Sequence, residues 1–381
     1  MPNLALPLGE GWEGVNITRN LQYLKRIYLL NFRNYEEFTA DFSPNINCIV
    51  GDNGSGKTNL LDAVYYLGLT KSSIQNQDAL SIRHDANAMM IDGLFDKDDK
   101  QEQITCSMQR GQRKILLHDR QPYERITEHI GKYPIVLIGP DDTDLIRDSS
   151  DTRRRFFDGV ISQMNSEYLS RYQHYNRILD QRNSLLKQFA EQNFVDDDLL
   201  DIYTEDLLRL ALEINSERRI FLERFQPIFT EKYAELSESR EKVNIVYNSE
   251  VNDIDFIVNF RKNKQVDLYA QRTTKGIHRD DYEFEIDDYP IKKFGSQGQK
   301  KAFVMALRLA QFKLLCTEKN TKPILLLDDV FDKLDDRRIN KIIESINDHT
   351  FGQIFLTDAR PERTAAILEK ATVEVKYFQT S

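Results

Sequence analysis

The chain has 381 residues, 40% hydrophobic and 30% charged, with a formal net charge of −9; that length holds two domains, or one with a large insert. The acidity excludes a protein that coats nucleic acid by charge alone, so a nucleic-acid role needs local basic patches. No apolar run approaches the roughly 18 residues of a membrane span, the three scattered cysteines make no disulfide framework, the six histidines lack zinc-ligand spacing, and with no leader pattern a cytoplasmic protein without a membrane partner is expected.

Residues 1–20, with Pro2, Pro7 and three glycines, lack periodicity and read as a disordered extension or a misassigned start. Tyr23–Phe32 reads as a strand, and Asn47-Cys48-Ile49-Val50 as a short buried strand entering a loop. That loop, Gly51-Asp52-Asn53-Gly54-Ser55-Gly56-Lys57-Thr58, matches GxxxxGK[ST]. Gly51 and Gly56 let the backbone bend so that successive N–H groups converge on one anion. Lys57 is placed to reach the β- and γ-phosphates, and the Thr58 hydroxyl to hold Mg²⁺. Asn59 opens the helix that follows, and Gly51 through Asn59 are the expected ATP contacts. The competing reading is a glycine-rich turn that binds nothing.

Ala88–Phe95, Ile104–Gln109 and Lys114–His118 form an antiparallel meander, the expected wall for the adenine. Pro134–Ile138 is an extended apolar run. Two long helical patterns follow, capped near Ser150-Asp151 and near Asp196–Asp198. In the first, Phe157, Val160, Ile161, Met164, Tyr168, Tyr172, Tyr175 and Leu179 make one stripe, read as a packing seam rather than a base-stacking platform. Val243–Tyr247 and Tyr282–Ile286 are strands, the second returning to the first domain. Three basic runs are candidate DNA patches or merely solvated faces: Arg110 to Arg125, Arg153-Arg154-Arg155, and Lys292 to Lys301.

Ser296-Gln297-Gly298-Gln299 opens a long helical pattern, offering a hydroxyl, N–H groups and a positive dipole end to an anion. The same residues also suit a simple N-cap. Pro323–Leu327 is an apolar run ending in Asp328 and Asp329, the form of a central parallel strand. Asp328 is placed to hold Mg²⁺ with Thr58, and Asp329 to orient or activate the attacking water, making the pair the catalytic candidates. Gly352–Leu356 is a further strand, followed by Thr357-Asp358.

Together these elements resemble the ABC-type ATPase heads of the structural-maintenance-of-chromosomes superfamily, and more closely the RecF family. The likeness extends in order through Leu30–Tyr35, Gly51–Leu61, Pro140-Asp141-Asp142, Arg153–Asp158, Gly276–Asp281, Ser296–Gln299 and Leu325–Asp335. Asp332-Lys333-Leu334-Asp335 departs from the family's usual Ser-Glu-Leu-Asp, and Ser72-Ser73-Ile74-Gln75 stands where an aromatic and an arginine are expected.

The resemblance implies an α/β fold: a P-loop ABC-type head, mixed sheet plus meander, with an inserted, mainly helical arm. Its expected bounds are residues 21–130 with 275–381 for the head and 131–274 for the arm. It further implies that Ser296–Gln299 bind the γ-phosphate held by a facing subunit, hence an ATP-dependent homodimer. The implied function is a nucleoid-associated recombination mediator that engages double-stranded and gapped DNA with RecR- and RecO-type partners and supports repair, replication restart and the SOS response. Hydrolysis is expected to be weak, DNA-stimulated and used as a switch, since no histidine follows Gly352–Leu356. An ATPase-coupled nuclease or another SMC-like ATPase is the alternative, although only 52 residues follow Asp329.

Overall fold

The structure is a computed structural model that describes residues 22–75, 77–237, 241–331 and 336–380. The 1–20 extension and the Asp332–Asp335 departure lie outside the described residues. In chain order the elements are β1 (Gln22–Phe32), β2 (Tyr35–Asp41), β3 (Ile46–Val50), α1 (Lys57–Leu69), β4 (Ala88–Lys97), β5 (Lys100–Gln109), β6 (Ile115–His118), β7 (Gln121–Pro122) and β8 (Ile135–Ile138). There follow α2 (Asp144–Arg147), α3 (Ser150–Met164), α4 (Ser166–Gln192), α5 (Asp197–Ser237), β9 (Val243–Asn248), α6 (Phe256–Lys262), α7 (Lys264–Ala270), β10 (Asp281–Ile286), β11 (Tyr289–Pro290) and α8 (Ile291–Phe294). The chain ends through α9 (Gln297–Lys319), β12 (Ile324–Leu327), α10 (Asp336–Asn347), β13 (Ile354–Asp358), α11 (Pro361–Leu368) and β14 (Val375–Gln379). The described residues divide into two compact units: those up to Tyr123 with Tyr133–Leu137 and those from Leu315 onward, and, second, Glu124–Lys132 with Ile138–Leu314.

The first unit carries two sheets. One is six-stranded, ordered β2-β1-β4-β5-β6-β7 and antiparallel throughout. Burial alternates along β4, as expected of a sheet with one face on the core. The other is ordered β14-β3-β13-β12-β8, with β3 parallel to both β13 and β14, and β12 parallel to β13. Its central strands β3, β12 and β13 are buried at every position, which is why β12 reads as an uninterrupted apolar run and β3 as one broken only by the buried Asn47. β13 extends through Asp358, two residues beyond the strand read from the sequence.

In the second unit, α3, α4 and α5 surround an aromatic core. Phe157 lies 4.0 Å from Tyr282 and 5.7 Å from Phe225, and Phe303 of α9 lies 4.7 Å from Phe229. Burying each such ring contributes about 2–3 kcal/mol. Tyr168 and Tyr175 of the expected seam are buried here. Two expectations are corrected. The first long helical pattern is two helices, α3 and α4, because the Asn165 side chain accepts from the N–H groups of Glu167 (3.0 Å) and Tyr168 (3.1 Å) and so starts a new helix. And β10 joins neither sheet of the first unit: it pairs with β9 and β11 in a three-stranded antiparallel sheet.

Candidate nucleotide site

β3 delivers the chain into the Gly51–Thr58 loop, where Gly54 and Gly56 adopt φ of +86° and +100°. These left-handed values are open to glycine at little cost. Lys57 begins α1, and its ammonium donates to the carbonyls of Gly51 (2.8 Å) and Asp52 (2.9 Å). The first turn of α1 carries no acidic side chain, so its dipole is left for an anion. The loop's far side is closed by Thr380, whose hydroxyl lies 2.6 Å from that of Ser55.

Asp328 follows the buried strand β12 and is 6% exposed. The Thr58 hydroxyl reaches both of its carboxylate oxygens at 3.0 Å. Two motifs 270 residues apart thus meet through side chains. A hydroxyl and a carboxylate in contact are hard oxygen donors, and Mg²⁺ commonly takes one or two such protein ligands beside phosphate and water. Thr58 and Asp328 fit that ion.

Sequence reasoning missed Thr357. Its hydroxyl donates to Asp328 at 2.6 Å and accepts the Asp329 N–H at 3.0 Å, orienting both aspartates at once. The one available signal was its place at the end of β13, beside the acidic strand. Asp329 takes φ +47°. The neighbouring Asp358 is 1% exposed; one carboxylate oxygen accepts the Arg360 N–H (2.6 Å) and the other has no hydrogen-bond partner among the described residues.

Ser296 belongs to the second unit, and Lys57 and Asp328 to the first. Its hydroxyl accepts the Gln299 N–H (3.2 Å), while the Gln299 side chain accepts the Ser296 N–H (2.6 Å). This reciprocal pair is a capping box on α9. Ser296, Gln297 and Gly298 are exposed, and a hydroxyl that accepts at the cap still has its proton to donate.

The basic runs are more committed than their sequence suggests. Arg153 forms a two-pronged pair with Asp281 (2.8 and 2.9 Å), Arg154 donates to the Asp280 carbonyl (2.6 Å), and Arg155 pairs with Asp151 (2.7 Å). Arg110 donates to the carbonyls of Ala86 and Arg83, and Lys114 pairs with Asp78 at 2.6 Å. Arg113, Arg120 and Arg125 are exposed. Ser72 and Ser73, at the family departure, bind the buried Asp62 of α1.

The family model described as the RecF/RecN/SMC N terminal domain matches residues 23–380. The chain is 45% identical over 356 residues to the DNA replication and repair protein RecF of Flavobacterium johnsoniae, covering 93% of this chain and 99% of that one. It is also 45% identical to the RecF of Cytophaga hutchinsonii, covering 93% and 94%. Among solved structures it is similar to the recombination mediator protein RecF-ATP in the RecFOR pathway, with a TM-score of 0.84, 29% identity and coverage of 90% and 94%. An Smc head domain from Pyrococcus furiosus, at 18% identity and a TM-score of 0.54, shares the fold.

Proposed function

Because this chain belongs to the RecF family, within the wider RecF/RecN/SMC group of ABC-type ATPase heads, we propose that it is an ATP-dependent, DNA-binding recombination mediator. Gly51–Asn59 cradle the nucleotide, Lys57 meets its β- and γ-phosphates, and Thr58 with Asp328 hold Mg²⁺. Asp329 orients the attacking water, and Ser296–Gln299 meet the γ-phosphate bound by a second copy. The ATP-bound dimer engages gapped DNA or single-strand/double-strand junctions and, with RecR- and RecO-type partners, supports recombinase loading in repair, replication restart and the SOS response.

The observation that carries the nucleotide part is the 3.0 Å contact of Thr58 with Asp328 beside Lys57. The DNA part is supported by relatives named for DNA replication and repair at 45% identity over nearly the whole chain. The test is equilibrium ATP binding by the wild type and by Lys57→Ala, with sedimentation in ATP and Mg²⁺ with and without gapped duplex. Loss of ATP binding in Lys57→Ala and a heavier wild-type species with ATP are the expected results; unchanged affinity in Lys57→Ala overturns the site.

A further inference from the structure

Three consecutive side chains, two in the turn between β1 and β2 and one opening β2, grip the phosphate loop and the helix that follows it. Arg33, at φ +52°, donates to Asp62 of α1 (2.8 Å) and to the Ser72 hydroxyl (2.6 Å). Asp62 is 1% exposed and is held further by the Ser73 N–H (2.6 Å) and hydroxyl (2.7 Å). The Asn34 carbonyl oxygen accepts from the Asn59 side chain (2.7 Å), its amide donates to the Ser55 carbonyl (3.4 Å), and it fills the space a Cβ on Gly56 would need. The Tyr35 hydroxyl donates to the Gly56 carbonyl at 3.1 Å.

The hairpin does not need these contacts for its own closure, since Phe32 already pairs with Tyr35 in the ladder. All of them but the Arg33–Ser72 bond end on the loop or on α1. Gly56, at φ +100°, is the residue that turns the chain into Lys57, and glycine loses more freedom on being fixed than any other residue. Burial pushes the Tyr35 phenol up to about 12, so it remains a proton donor across the neutral range.

We propose that Asn34 and Tyr35 are positioning residues of the nucleotide site: they hold the Ser55-Gly56 turn in its phosphate-accepting form before nucleotide arrives, with Arg33 anchoring the turn to α1 through Asp62. The inference rests on the nucleotide reading above. Its physical basis is preorganisation. A loop already fixed spends none of the binding energy on ordering, so losing the brace weakens affinity without removing any atom that touches phosphate.

The experiment compares Mg-ATP affinity and the nucleotide-free thermal midpoint for the full chain and for Tyr35→Phe, Asn34→Ala/Tyr35→Phe and Lys57→Ala. Tyr35→Phe keeps the ring and removes only the hydroxyl. It is expected to bind ATP about five- to tenfold more weakly, the scale of one lost hydrogen bond, with its midpoint within about 2 °C of the wild type. The double variant is expected to lose more. Tyr35→Phe that is destabilised yet binds ATP as the wild type does overturns the proposal, because the hydroxyl then serves the fold alone. Normal binding by Tyr35→Phe alongside failed binding by Lys57→Ala removes the brace and leaves the nucleotide site standing. Binding by Lys57→Ala equal to the wild type removes both. If the double variant does not fold, Tyr35→Phe alone decides.

Discussion

Asp329 adopts φ +47°, a left-handed conformation that asparagine tolerates as aspartate does. Asp329→Asn therefore removes the charge without straining the turn, and Asp328 keeps its contacts with Thr58 and Thr357. Phosphate release is expected to fall by about 10² while ATP affinity holds; unchanged turnover moves the water-orienting role elsewhere. His278 gives a pH prediction. Its Nε2 lies 3.1 Å from the Thr273 carbonyl, which accepts only, so Nε2 carries the proton and Nδ1 accepts from the Tyr175 hydroxyl (2.9 Å). Burial, seconded by the charges of Arg279 and Arg154 and opposed by the Thr273 bond and Asp267, pushes its pKa down to about 4 from 6.5. Between those values the unfolded chain binds a proton that the folded chain refuses. Stability is thus complete above about pH 6.5 and declines as pH falls toward 4, by roughly 2 kcal/mol between pH 6.5 and 5. Urea midpoints at pH 7 and 5 measure it, and His278→Gln is expected to flatten the slope.

Arg218 of α5 joins separate elements by its one guanidinium. It reaches Asp158 of α3 (2.9 Å to each oxygen), Asp280 ahead of β10 (2.7 Å) and the Ile277 carbonyl (3.0 Å), and Asp280 also accepts from Tyr247 of β9 at 2.5 Å. Arg218→Met leaves two buried carboxylates uncompensated and is expected to cost about 3–5 kcal/mol in urea unfolding, part of it recovered by Asp158→Asn in the same chain. This junction also marks the limit of sequence reading. The phosphate loop, β3 and β12 were legible because their signals are local: glycine spacing, an apolar run, a terminal carboxylate. Arg153 and Arg154 read as a surface patch because their partners, Asp281 and the Asp280 carbonyl, lie 128 and 126 residues on, and charge in a sequence does not reveal its counter-ion. Asn165 escaped for a related reason: its side chain competes for N–H groups that the periodicity had assigned to one continuous helix.

At the scale of the whole molecule, Lys57 and Ser296 belong to different compact units, and the proposed mechanism uses them on nucleotides held by different copies. Ser296→Arg places a bulky cation where the facing phosphate docks. Single-chain ATP affinity is expected to stay nearly constant, the fold to lose about 1 kcal/mol of capping, and the ATP-dependent dimer to vanish in sedimentation. A Ser296→Arg chain that dimerises normally makes Ser296–Gln299 a helix cap only.

The order of the parallel sheet has a consequence for how the protein is made. β3, the strand that carries the phosphate loop, takes both neighbours, β13 and β14, from the far end of the chain. On the ribosome Ile46–Val50 emerges about 300 residues before Ile354–Asp358, which at 5–20 residues per second is roughly 15 to 60 s of waiting. Throughout that interval a nascent, largely apolar strand has neither ladder partner and is open to chaperones or to its neighbours on the same message. The full nucleotide motif is therefore synthesised early, but the sheet that gives it shape closes only when β14 has been made.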